Sequence, residues 1–154
     1  MTVRVRVARA ADAPALASLA AELGYPTPAG EMLGRLEELI ADTSQSVLVA
    51  EDHEVVGWLH VALALSLESG RRAEILGLVV TRTERAKGIG KLLVDGAEEW
   101  AAGKGATRIR VRTNVVRDDA RRFYARCGYT TSKRQEVFDK VLGGVPSGGK
   151  RSST

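Results

Sequence analysis

Residues 3–8, "VRVRVA", alternate apolar and basic side chains with period two, the pattern of a strand with one covered face. Asp12 as an N-cap and Pro14 in the first turn then open a helical pattern, in which Leu16, Leu19, Ala20 and Leu23 recur at helical spacing and Gly24 stops it. After the loop "YPTPAG", Met32, Leu33, Leu36, Leu39 and Ile40 mark one face of a second helix. "SVLVAED" and "EVVGWLHVALALSL" are apolar runs separated by a polar turn at Asp52 and His53, which predicts a hairpin. "RRAEILGLVV" is a third such run, ended by the polar segment 81–87. From Gly88 the period turns helical again, with Ile89, Leu92, Leu93, Ala97, Trp100 and Ala101 on one side and Gly103 and Gly105 closing it. "TRIRVRT" alternates like a strand, and "RDDARRFYARC" is a short amphipathic helix stopped by Gly128. "GYTTSKRQEVFDKVL" predicts one or two closing strands, and "GGVPSGGKRSST" a flexible tail. Antiparallel hairpins thus precede a βαβ unit, so the sheet is expected to be mixed and covered by helices.

At 154 residues the chain is expected to be one domain with a core that needs no staples. Its 44% hydrophobic and 27% charged residues are ordinary for a soluble globular protein, and no stretch approaches membrane-spanning length. The lone cysteine, Cys127, allows no intrachain disulfide, and the N-terminus lacks the apolar core of a signal peptide. A soluble cytoplasmic protein, monomer or homodimer, is the expectation. The net charge of +4 is unevenly spread: residues 10–80 sum to −8, and residues 81–154 to +9. Such asymmetry suits a half that faces an anion and a half that faces a cation, or else scattered solvated charge. An aromatic content of 5%, with no aromatic-studded basic strand, argues against a nucleic-acid binder. No Cys/His cluster suggests a metal.

The chemistry concentrates in "TERAKGIGKLLVDGAEEWA", where a basic, glycine-containing turn opens into a helix. The first N–H groups of a helix lack internal partners and carry the positive end of its dipole, so this is an anion site. Gly88 and Gly90 allow close backbone approach to a phosphate, while Arg85, Lys87 and Lys91 add charge. It is not a P-loop, because Leu92 follows Lys91 and Arg85 stands where that motif needs glycine. Nor is it a dinucleotide fingerprint, whose third glycine would replace Leu93.

"RAKGIG", residues 85–90, resembles the R/Q-x-x-G-x-G/A signature of the GNAT superfamily of acyl-CoA N-acyltransferases. "AEILGLVVTRTERAKGIGKLL" resembles that family's fourth strand, pyrophosphate loop and third helix, and "NVVRDDARRFYARCGY" its fifth-strand exit and following helix. The resemblance covers residues 2–142. It implies a single-domain α/β (α+β) fold over 1–142, with 143–154 as tail. The central sheet would be mixed, with about six to seven strands flanked by about four helices, and splayed between the fourth and fifth strands. It also implies acetyl-CoA as co-substrate. The backbone of Arg85, Ala86, Lys87, Gly88, Ile89, Gly90 and Lys91 would wrap the pyrophosphate. The backbone of Leu78, Val79 and Val80 would pair with the pantetheine arm, and Asn114 would hydrogen-bond it.

Acetylation needs a neutral amine, although an alkylammonium has a pKa of roughly 10, so a group must take that proton. Glu74 occupies the position where several family members carry the general base. A carboxylate set among apolar side chains holds a proton more readily, which suits that role. The other reading of Glu74 is a strand-end charge partnered by Arg71 or Arg72. Tyr124 matches the tyrosine that many members place near the sulfur of coenzyme A, where it would act as acid; otherwise it packs beside Phe123. His60 and Trp58, two residues apart on one strand, share a face and are weaker acceptor-site candidates. His53 reads as a solvated turn residue and Cys127 as packing.

In this family the two N-terminal helices form an acceptor wall, and here they belong to the acidic half. A small-molecule amine, aminoglycoside-like or polyamine, is the expected acceptor; "EEWAAGKGA" and "QEVFDKVL" are reminiscent of the aminoglycoside-modifying branch. A protein N-terminus or lysine is the alternative, as is a non-catalytic acyl-CoA-binding module. No nucleic-acid or membrane partner is expected.

Overall fold

The computed structural model describes residues 2–85, 87–113 and 118–143. Among them the elements run β1 (Arg4–Val7), α1 (Ala13–Glu22), α2 (Ala29–Ala41), β2 (Gln45–Asp52), β3 (Glu54–Ser66), β4 (Gly70–Val80), α3 (Ile89–Gly103), β5 (Ile109–Val111) and α4 (Asp118–Arg126). Short 3₁₀ turns at Ala10–Asp12 and Arg82–Glu84 lead into α1 and follow β4. The chain divides into two compact units, Met1–Arg112 and Thr113–Thr154.

The first unit holds a sheet in the order β1-β2-β3-β4-β5. Its strands are antiparallel up to β4, and β4 pairs parallel with β5. The mixed sheet read from the sequence is therefore present, and α3 supplies the crossover that a parallel pair requires. The β2–β3 hairpin turns at His53, which sits at φ 64°, a left-handed conformation unusual for a residue with a side chain.

Helices cover both sheet faces. On one, α1 and α2 bury Ala13, Leu16 and Leu36 against Val47 and Val49, with Met32, Leu39 and Trp58 packed around them. On the other, α3 buries Ile89, Leu93, Val94, Ala97 and Ala101. Leu92, expected on that stripe, lies off it at 43% exposed, Trp100 is only partly buried, and Val94 takes an inward position. Leu33 and Ile40 likewise fall outside the buried stripe of α2. Gly57 shows how closely the layers meet, since a Cβ there would lie 2.9 Å from the Val79 carbonyl oxygen and 3.2 Å from Leu93.

Asp12 was expected to cap α1 and does not do so with its side chain. Its carboxylate instead receives both terminal nitrogens of Arg6, at 2.9 and 3.0 Å, and the Arg9 N–H at 2.7 Å.

The second unit contains α4, whose last turn passes into Gly128 at φ 92°. The closing strands expected over 128–142 are absent; residues 130–142 carry no regular element and are exposed along their length. "TTSKRQE" presents seven polar residues in a row, so that stretch has no apolar face with which to hold a strand pairing. The sheet of the described residues consequently has five strands rather than six or seven. The tail beyond residue 143 lies outside the described residues.

Candidate active site

β5 pairs with β4 only at Ala73, Glu74 and Ile75, opposite Ile109, Arg110 and Val111. Just beyond, the β3–β4 register shifts: Val61 faces Ile75 but His60 faces Gly77, so Leu76 is an extra residue on β4. A bulge of this kind bends its strand and steepens its twist. From Leu76 to Val80, β4 therefore keeps β3 on one side and has no strand on the other among the described residues. That is the expected splay, and it leaves backbone groups of Leu78, Val79 and Val80 along an edge where an extended ligand could add as a strand.

The same strand runs through Arg82–Glu84 into α3. Gly88, the residue that precedes the helix, sits at φ 81°, and a Cβ added there would meet nothing within 4 Å. Backbone conformation rather than crowding therefore calls for glycine. No side chain caps α3. Its N-terminal N–H groups and the dipole of a helix 15 residues long are thus directed at the loop.

The cations of this loop all have partners within the chain. Arg85 Nε donates to the Val80 carbonyl at 3.0 Å, Lys87 lies 3.0 Å from Glu84, and Lys91 lies 3.1 Å from Asp95. Exposed ion pairs contribute about 0–1 kcal/mol, so an arriving phosphate competes with them at little cost. The fixed part of the site's positive character is its backbone, and the side-chain charges are exchangeable. An open strand edge that ends in an uncapped helix N-terminus fits a ligand with an amide-bearing arm followed by a diphosphate.

Glu74 faces Ala62 across β3–β4, which sets it on the sheet face of Ala62, His60 and Trp58, the face covered by α1 and α2. The apolar surroundings expected for it are not found. Its carboxylate accepts a hydrogen bond from Arg112 and lies 3.8 Å from Arg72, with 13% of the side chain exposed. The partner anticipated on β4 itself, Arg72, is present, and Arg112 joins it from just past β5.

His60 is half-buried, and its Nε2 lies 2.7 Å from Gln45 Oε1 on β2. Burial pushes the imidazole pKa below its usual value, which favours the neutral ring. Trp58 packs over Gly77 of β4, where a Cβ would meet its ring at 2.9 Å.

In the second unit, Tyr124 lies on α4 with its ring edge-on to Phe123 at 4.9 Å and to Tyr129 at 5.6 Å. Cys127 is a half-buried thiol near the end of that helix. Asn114 and Ala86 lie outside the described residues.

Residues 14–129 match the acetyltransferase (GNAT) family. The chain belongs to that family. It is accordingly an acetyl-CoA-dependent N-acetyltransferase. Among its relatives, an aminoalkylphosphonate N-acetyltransferase of Salmonella typhimurium is 38% identical over 96 residues, covering 62% of this chain and 61% of that protein. An aminoglycoside N(6')-acetyltransferase of Klebsiella aerogenes is 29% identical over 99 residues, covering 62% of this chain and 65% of that protein. This GNAT chain thus spans under two thirds of either relative. A solved structure, described as a transcriptional regulator from Bacillus halodurans, superposes with a TM-score of 0.81 at 30% identity over 90% of this chain and all of that one.

Two contacts of this acetyltransferase left no mark in the sequence pattern. Gln45 reaches His60 from another strand, and Glu22 reaches the segment between β4 and α3 from the end of α1. Both depend on long-range placement and not on local spacing.

Proposed function

We propose that this acetyltransferase transfers an acetyl group directly to a primary amine of a small, polar, cationic acceptor, aminoglycoside-like or polyamine. The observation that carries the reading is the open edge of β4 from Leu76 to Val80, which runs from beside Glu74 to the uncapped end of α3, with Glu74 on the sheet face covered by α1 and α2. Acetyl-CoA supplies the activated thioester. In this proposal the backbone of Leu78, Val79 and Val80 holds the pantetheine arm, and backbone N–H groups from Arg85 through Lys91 hold the pyrophosphate. Asn114 contributes a hydrogen bond to the arm.

Glu74 takes the ammonium proton of the acceptor, directly or through water, while Arg72 and Arg112 hold its carboxylate in place. Tyr124 supplies the proton that the departing sulfur requires, a transfer only slightly uphill from a phenol of pKa about 10 to the thiolate of a thiol near 8.5. The acceptor class is supported by the exposed Glu31, Glu37 and Glu38 on α2, within the acidic half of the chain, and by the aminoglycoside-acetylating relative. The phosphonate-acetylating relative favours a second reading, a smaller acceptor that bears one amine and one anion.

The test is release of free coenzyme A from purified protein and acetyl-CoA with a panel of amines: an aminoglycoside, spermidine, an aminoalkylphosphonate and a lysine-bearing peptide with a free N-terminus. Multiply charged amines are expected to lead, with a preference that weakens as salt rises, since exposed charges are screened beyond about 8 Å at physiological ionic strength. Preference for the phosphonate selects the second reading, preference for the peptide a protein acceptor. Binding without turnover on any amine leaves only an acyl-CoA-binding module.

A further inference from the structure

We infer that Glu22 is a positioning residue for the coenzyme loop, fixing from the last turn of α1 the point at which β4 turns toward α3. The inference rests on the reading of that loop as the pyrophosphate site. Both carboxylate oxygens are committed: Oε2 accepts from the Thr81 hydroxyl at 2.9 Å, and Oε1 accepts from the Arg82 N–H at 3.1 Å. The Arg82 guanidinium returns to the Glu22 carbonyl at 3.4 Å, and the Thr81 N–H donates to the Val56 carbonyl at 2.9 Å. The first two residues after β4 are therefore held from both α1 and β3, across 59 and 60 residues of chain in the case of Glu22.

The Arg82 N–H and then the Thr81 hydroxyl hold the Glu22 carboxyl below the usual carboxylate range, so it is charged throughout neutral pH. A negative charge next to a phosphate site is, by itself, unfavourable for the ligand. Here that charge is directed at an N–H and a hydroxyl that set the course of the chain, and Arg82 lies beside it. Residues 81 and 82 set the point at which the chain leaves β4 on its way to Gly88 and α3. Because α1 also packs on the sheet face that carries Glu74, the contact ties the coenzyme loop to the acceptor side of the molecule.

The two possible roles of this carboxylate predict opposite signs. If Glu22 acts only through its charge, neutralising it removes a repulsion and acetyl-CoA binds more tightly. If it positions the loop, binding weakens. Glu22→Ala is expected to raise Kd and KM for acetyl-CoA about tenfold, the scale of a lost charge-assisted hydrogen bond, with kcat at saturation and the melting temperature little changed. Glu22→Gln, which keeps the shape and one accepting oxygen, is expected to fall between Ala and wild type. Thr81→Val should be non-additive with Glu22→Ala in a double-mutant cycle on acetyl-CoA affinity, because the two share one hydrogen bond. Unchanged or tighter binding in both Glu22 variants overturns the inference. So does strict additivity with Thr81→Val. Gly90→Glu in the same assay separates the levels: if it leaves binding intact the loop assignment itself fails, and if it abolishes binding while the Glu22 variants do not, only the role of Glu22 fails.

Discussion

Two clusters of charge in this protein use the same residue types to opposite ends. At the β1–β2 edge, Arg6 holds Asp12 through two bonds and Glu51 at 3.0 Å, and Arg4 adds a further bond to Glu51 at 2.9 Å. Arg6 and Asp12 are 15% and 10% exposed, and the network closes on itself. Around the β4–α3 loop, the basic side chains Arg85, Lys87 and Lys91 are themselves largely open to water, and the helix end they surround has no side-chain cap. A closed network holds elements together; an open one is available to a ligand. Counts of arginine and lysine do not distinguish the two, whereas the burial of the basic side chain does: Arg6 is 15% exposed, Lys87 47% and Lys91 59%.

The most decisive way to break this comparison is Gly90→Glu. It adds bulk and a negative charge in the first turn of α3, where an anion is meant to sit. In wild type, acetyl-CoA should raise the melting temperature, because it binds the folded state. In a folded Gly90→Glu protein that shift should vanish. If it persists, the loop is no more a ligand site than the β1–β2 edge.

Glu74 tests the comparison from inside, since it has two arginine partners and yet is proposed to do chemistry. Glu74→Gln keeps the shape but cannot accept the proton, so kcat should drop by roughly 10² to 10⁴ with acetyl-CoA affinity retained. Tyr124→Phe should lower turnover in the same range, again without loss of coenzyme binding. Full activity in Glu74→Gln would make Glu74 a structural member like Asp12 and move the base role to a water chain or to the neutral imidazole of His60. An unaltered rate in Tyr124→Phe would leave Tyr124 as packing between Phe123 and Tyr129.

Arg6→Ala should behave in the opposite way. It leaves the buried Asp12 carboxylate without its charged partner, at a cost of about 1–3 kcal/mol, while Glu51 keeps Arg4. The melting temperature should fall while KM for acetyl-CoA stays put, as measured by thermal unfolding beside steady-state kinetics. A raised KM at unchanged stability would place the closed network in the site.

The sequence revealed the loop more fully than its surroundings, for a physical reason. "RAKGIG" records a local requirement, a left-handed glycine before a helix with cations nearby, and Gly88 shows that conformation. The strands also follow a local period, and the hairpin turned where Asp52 and His53 predicted. What the sequence did not disclose depends on distant partners. Asp12 looked like a cap because of its place before α1, but Arg6 from β1 and the Arg9 N–H claimed its oxygens. Glu74 looked apolar in its surroundings because its neighbours in sequence are, but Arg112 comes from past another strand. The closing strands were expected over 128–142, yet a strand is defined by its pairing, and residues 130–142 have no regular element.

The smallest expected effect concerns acid, and it sharpens what a closed network is. Arg6 first, and Arg4 second, hold the Glu51 carboxyl at about 2, down from 4.5. With a lower pKa in the folded state, the unfolded chain binds more protons between those two values, so stability rises with pH across that window. The contribution of Glu51 is therefore complete above its unfolded pKa and is lost as pH falls toward the folded one. Asp12 is shifted the same way, by Arg6 above all, and so adds to the acid sensitivity of the same edge. The clean measurement is a difference: wild type minus Glu51→Gln, by denaturant unfolding at a series of pH values. That difference should be constant from neutral pH down to the ordinary carboxylate range and should shrink toward zero as pH approaches 2. Its size will be modest, because Glu51 is partly open to water and screening weakens its pairs. A difference that is flat with pH would mean that Glu51 contributes by packing alone. The charges at this edge would then be as exchangeable as those of the loop, and the contrast between the two clusters would rest on Arg6 and Asp12.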